Sequence, residues 1–172
     1  MGILRNRGTD DDDNVRRFQM REKLFSIGDD YWIEDNEGNR AYRVNGKALR
    51  ARSTFVLEDT AGQEVASIQE RKLSVRDKIA IERDGQSMAT VHKALVGIRD
   101  RFAINLDNGA DLKVHGNVVD HEYEIERDGD KVAQISKAWF RVRDTYGVEV
   151  EQGEDVGLVL AITVALESMT EE

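Results

Sequence analysis

The chain has 172 residues, a formal net charge of −9, no cysteine and no proline. That length suits one domain with a sizeable core, and the missing thiols exclude disulfides, zinc–thiolate sites and cysteine nucleophiles. The acidic balance opposes nucleic-acid binding, because a phosphate backbone would meet a repulsive net field.

At the N-terminus, Met1–Arg7 lacks the apolar stretch of a secretory signal. Gly2 would suit myristoylation, but Asn6 stands where that pattern wants Ser or Thr. The four consecutive aspartates Asp10–Asp13 repel one another and bury nothing. Residues 1–14 are therefore expected to be a disordered acidic tail, and 15–172 a single domain. A cytoplasmic location is expected. The acids, 34 in number, stand against 17 arginines and only 8 lysines, a balance open to two readings: a salt-adapted surface or an ordinary acidic protein.

A first strand is expected over about Arg17 to Ile27. Five turns follow, each after an apolar run: Glu34-Asp35-Asn36-Glu37-Gly38, Glu58-Asp59-Thr60-Ala61-Gly62, Glu82-Arg83-Asp84-Gly85, Leu106-Asp107-Asn108-Gly109 and Glu126-Arg127-Asp128-Gly129. Glycine supplies the positive φ of a tight hairpin, and Asp-Gly or Asn-Gly is the strongest short hairpin signal. The glycines are spaced by 24, 23, 24 and 20 residues, which predicts a repeated hairpin meander. The flanking runs alternate as half-buried strands do: Phe102, Ile104 and Leu106 against Ala103, Asn105 and Asp107. Five hairpins with an N-terminal strand and a C-terminal strand at about Tyr146 to Glu151 make twelve. An open twisted sheet rarely exceeds about ten strands, so closure into a barrel is expected, and a twelve-stranded barrel is too wide for its strand side chains alone to fill. The filler is the run Asp155 to Met169. Its apolar part, Val156–Leu166, is 11 residues long, short of the roughly 20 a membrane span needs. It is apolar on every side, which predicts a helix buried all round, with Glu154 and Asp155 suited to its N-terminus.

These residues resemble the LURP-one-related family. The resemblance is carried by Tyr31-Trp32-Ile33-Glu34-Asp35, Tyr42-Arg43-Val44-Asn45-Gly46-Lys47, Gly116-Asn117-Val118-Val119-Asp120-His121-Glu122-Tyr123-Glu124-Ile125, Ile135-Ser136-Lys137-Ala138-Trp139-Phe140, Arg143-Asp144-Thr145-Tyr146-Gly147-Val148-Glu149-Val150 and the Gly153-Glu154-Asp155 entry to the helix. It covers residues 17–170. It implies a relative of tubby C-terminal domains and phospholipid scramblases: a mainly β, closed twelve-stranded antiparallel barrel around a central hydrophobic C-terminal helix. Tubby domains bind phosphoinositides through basic residues; no defined tubby lipid motif is matched here.

No catalytic centre is expected. The chain lacks a Gly-x-Ser-x-Gly elbow, a phosphate-binding glycine loop and a His-Glu-x-x-His helix. His115 and His121 with Asp120 and Glu122 do not have a recognised ligand spacing, and turn or rim roles suffice for them. Neither a metal nor a cofactor is expected. The charge layout says more. In a meander the five tight turns share one end and the links the other. Turns 34–40, 58–64, 82–87, 107–111 and 126–131 carry nine net negative charges; links 46–53, 70–78, 92–101, 115–122 and 136–145 carry seven net positive ones. The candidate anion-binding rim is Lys47, Arg50, Arg52, Lys72, Lys93, Arg99, Arg101, Lys137, Arg141 and Arg143, with Arg71 beside it. Arginine presents a planar fork to phosphate or carboxylate. Two readings stand: a rim for anionic lipid, phosphoinositide or an acidic protein, giving peripheral membrane attachment, or arginines paired with neighbouring aspartates that tie the links together. The function expected is a non-enzymatic binding or scaffolding barrel. The alternative is a small-ligand carrier or an enzyme using a barrel cleft.

Overall fold

The computed structural model describes residues 15–22, 30–46, 54–71, 78–96, 99–140 and 142–170. The tail at 1–14 lies outside them. The strands are β1 (Val15–Arg21), β2 (Tyr31–Asp35), β3 (Arg40–Gly46), β4 (Thr54–Asp59), β5 (Glu64–Arg71), β6 (Lys78–Arg83), β7 (Gln86–Val96), β8 (Arg99–Leu106), β9 (Leu112–Asn117), β10 (Glu122–Arg127), β11 (Asp130–Ser136) and β12 (Thr145–Glu151), followed by one helix, α1 (Val156–Thr170). Each strand pairs antiparallel with its chain neighbours, and β1 closes the barrel on β12 from Val15↔Glu151 to Arg21↔Thr145. The expected twelve-stranded barrel is the fold.

The turns form for the local reasons their residues suggest. Asp84-Gly85 and Asp128-Gly129 both have positive φ at each position (53° and 75°; 51° and 90°), the geometry that matches the twist of a two-residue hairpin. In the longer turns Asp35 accepts hydrogen bonds from the Glu37 and Asn39 amides, and Asp59 from those of Ala61 and Gln63, all at 2.9 Å. The recurring Glu-Asp-x-x-Gly signal is thus an aspartate closing its own turn.

The helix fills the lumen. Leu160, Ala161, Ile162, Val164, Ala165 and Leu166 are 0% exposed and share one core with the inward faces of the strands. Its entry is fixed at the turn end. Asp155 accepts a hydrogen bond from Leu158 N at 3.0 Å as the N-cap, and takes both guanidinium nitrogens of Arg83 at 2.7 and 3.0 Å. Arg127 holds Glu154 in the same forked manner at 2.7 and 3.1 Å. A Cβ on Gly157 would lie 2.5 Å from Val65, so the first turn sits directly against β5. Entering at the turn end, the helix delivers its C-terminus to the link end.

The wall is not uniform. Among the described residues two seams, β1–β2 and β8–β9, are paired at only two register positions each, near the turn end: Phe18↔Asp35 with Gln19↔Glu34, and Ala103↔Lys113 with Ile104↔Leu112. Every other neighbouring pair has at least four. The barrel is therefore a five-strand block (β9 to β12 with β1) and a seven-strand block (β2 to β8), joined at the turn end and diverging at the link end.

Candidate functional site

The link end gathers the polar groups that the hydrophobic core does not explain. It begins with the turn between β9 and β10. Gly116 has φ 114°, and a Cβ there would lie 2.5 Å from the Glu122 carbonyl oxygen, so only glycine lets the chain fold back so closely. Asn117 donates to the Asp120 carboxylate at 2.6 Å and accepts from the Asp120 amide at 3.1 Å, while the His121 amide donates to the Val118 carbonyl at 3.1 Å. The turn leaves His121 in the left-handed region at φ 55° and only 6% exposed. Its imidazole stacks on Tyr146 with ring centroids 4.3 Å apart, and its Nε2 meets Glu167 near the end of α1. Among the described residues Nδ1 has no hydrogen-bond partner. Burial pushes the Tyr123 phenol up, with the Glu167 charge adding to it and a hydrogen bond to Thr163 opposing it. Lys93 donates to the Met169 carbonyl at 3.1 Å, placing a cation on the orphan carbonyls of the helix C-terminus. Wall and plug are latched here by His121–Glu167 and Lys93.

His115 and His121 do not form one cluster. His115 lies on the outer wall, 3.1 Å from Glu126. Among the described residues no three His, Cys, Asp or Glu side chains are placed to hold a metal.

Of the candidate rim, Lys47, Arg50, Arg52, Lys72 and Arg141 lie outside the described residues; for Arg99 the structure describes only the backbone, as the first residue of β8. The supposed link 92–101 is mostly strand, since β7 runs to Val96 and β8 starts at Arg99. In consequence Lys93, in step with Ala89 and Val91, points into the mouth, and Arg101 points out. Lys137 pairs with Glu22 at 2.8 Å and Arg71 with Glu82 at 2.8 Å. Arg101 is exposed with no carboxylate partner among the described residues. Arg143 is 95% exposed, with Asp144 3.9 Å away. The described part of the rim thus divides: Lys93, Lys137 and Arg71 are engaged by partners within the barrel, while Arg101 and Arg143 face solvent.

A polar cleft of about 620 Å³ runs over the β1–β2 seam between Trp32 and Val142, with Arg21, Arg40, Glu34 and Arg143 among its lining. Two of its carboxylates are engaged, Glu22 by Lys137 and Asp30 by Arg43 at 3.8 Å. It lies on the outer wall, because the lumen is filled.

Arg21, Val119 and Val142 were not singled out in the sequence; nor was Glu167, although a glutamate closing an otherwise apolar helix was a signal that it needs a buried partner.

Geometry and topology together define a class, a closed antiparallel meander threaded by its own C-terminal helix. A sequence model of the LURP-one-related family matches residues 16–167; the chain belongs to that family. An X-ray structure of an Arabidopsis thaliana protein has the same fold, with a TM-score of 0.66 at 16% sequence identity over 91% of each chain. No curated protein matches.

Proposed function

We propose that this barrel is a non-catalytic binding module that recognises anionic phospholipid headgroups through its link end. The observation that carries the reading is an asymmetry between the two ends. Five acids of the turn end have structural work: Asp35 and Asp59 close turns, Asp111 bonds Asn105 at 2.8 Å, and Glu154 and Asp155 anchor the helix. At the link end Arg101 and Arg143 have no comparable role in the fold. An exposed guanidinium suits a headgroup phosphate, and a basic rim opposite an acidic end orients the molecule toward an anionic surface. The kinship with tubby domains implied by the family resemblance points the same way. The outer-wall cleft favours the alternative of a small-ligand carrier or enzyme, but its charges are of both signs.

Co-sedimentation with neutral, phosphatidylserine and phosphoinositide vesicles, at low and physiological salt, tests the proposal. Anionic vesicles should pellet the protein, less so at higher salt, and Arg101→Gln with Arg143→Gln should abolish it. Lys93 is left intact because it caps the helix. No binding to any vesicle at either salt would sink the reading.

A further inference from the structure

Among the described residues two large hydrophobic side chains are strongly exposed, Val119 at 61% and Val142 at 58%. Both belong to the link end. Val119 tips the turn between β9 and β10, and Val142 sits in the link between β11 and β12. Because β10 and β11 are neighbours in the barrel, these two connections are consecutive around the rim. Scattered exposed apolar residues need no explanation; on a chain with this much charge, one at the tip of each of two neighbouring loops calls for one.

Their surroundings specify the occupant. Val142 adjoins Arg143, the 95%-exposed arginine. Val119 adjoins Asp120, whose carboxylate is bonded to Asn117 at 2.6 Å and lies in the field of Lys137. At Val142 an apolar tip beside an exposed cation is the pattern of a segment that enters the boundary between headgroups and acyl chains of an anionic bilayer. Among the described residues the strongly exposed apolar surface at this end is these two side chains, less than the patch that marks a protein–protein contact. The opposite end carries the acidic turns and, among the described residues, no large hydrophobic exposed to this degree. An anionic surface would repel it.

Resting on the lipid reading above, we infer that Val119 and Val142 are the insertion points of an end-on membrane contact. The barrel stands with its link end in the headgroup layer and its acidic turns directed away. The seams and the helix C-terminus then face the bilayer.

The absence of native cysteine makes the test direct. Val119→Cys and Val142→Cys, with Ala61→Cys at the turn end as control, are each labelled with an environment-sensitive nitrobenzoxadiazole dye and mixed with phosphatidylserine vesicles. Emission at 119 and 142 should rise, shift to the blue and be quenched by brominated acyl chains, while that at 61 stays unchanged. The double variant Val119→Ser/Val142→Ser should bind vesicles several-fold more weakly with an unaltered melting midpoint. Vesicle pelleting with no change at 119 or 142 would overturn the insertion and leave the lipid reading standing. No pelleting would overturn both. A shift that grows with protein concentration in the absence of vesicles would place a second copy on the valines and overturn it as well.

Discussion

Gly147 faces outward from β12, and a Cβ there would lie 2.6 Å from Trp139 and 2.9 Å from Phe140. The two rings fold back from the β11–β12 link onto the wall, and Arg17 stacks on Trp139 at 5.5 Å from its centroid. Gly147→Ala should overpack this contact and cost about 1–3 kcal/mol, lowering the melting midpoint by roughly 2–4 °C per kcal/mol. In a Trp139→Ala background the same change should cost less, and additive losses would show that the ring does not set the limit. Trp139-Phe140 and Tyr146-Gly147 were legible as ordered features of the sequence. Their mutual dependence was not, since a void at one residue filled by a ring from a flanking link is a through-space property. His121 had the same obstacle. Its spacing from His115 reads as a loose pair, but the left-handed turn sends it inside while His115 stays outside. His121→Ala removes one partner of the buried Glu167 carboxylate and should cost about 3 kcal/mol or more, seen as a lower denaturant midpoint. His121→Ala with Glu167→Leu should recover much of that loss.

The helix shows what an element's sequence can and cannot say. Its apolar circumference predicted complete burial, because nothing in water would cover such a surface. Ile162 is 0% exposed at its centre. Ile162→Asp should place an unpaired charge among hydrocarbon at a cost of several kcal/mol, enough to unfold a typical domain, and a normal melting curve would refute the central position of α1. The acids at its entry were legible as dipole partners, but Arg83 and Arg127 as their clamps were not, since those contacts span 72 and 27 residues. The clamp has a pH signature. The Arg83 guanidinium, with amides of the first helical turn, holds the Asp155 carboxyl below its ordinary value of 3.8. A folded value below the unfolded one means stabilisation that is present above the unfolded value and lost as pH falls through the folded value. Asp155→Asn keeps a capping oxygen and removes the charge. The Asp155 side chain is 41% exposed, so the ion pair itself contributes little, and the neutral-pH cost should stay within about 1 kcal/mol. The acid limb of the stability curve below pH 3.8 should become shallower. An unchanged limb would show that the clamp does not sense the carboxylate's charge.

For the whole molecule, the number of strands followed from the turn glycines and the need for a plug from the barrel's width, so architecture was readable from local patterns. The division into two blocks was not. Phe102 and Ile104 alternate in the sequence as any strand does, yet the pairing of β8 with β9 stops at Ala103. Closing twelve strands around one helix is a global constraint, and where the ladder yields depends on all of them together. The consequence is measurable by amide exchange. In a strand, successive N–H groups point alternately to the two neighbours. Along Arg99–Phe102 and Val114–Asn117, one set is held by β7 or β10 and the other opens onto the seam. Protection should therefore alternate residue by residue in these two stretches, while β7 between Thr90 and Val91, laddered on both sides, should be protected throughout. Local stability in a folded domain follows such differences in hydrogen bonding. Uniform slow exchange along β8 and β9 would mean that the seam is closed in solution. Alternating exchange that slows on adding anionic vesicles would show that the face the bilayer covers is the end at which the two blocks part.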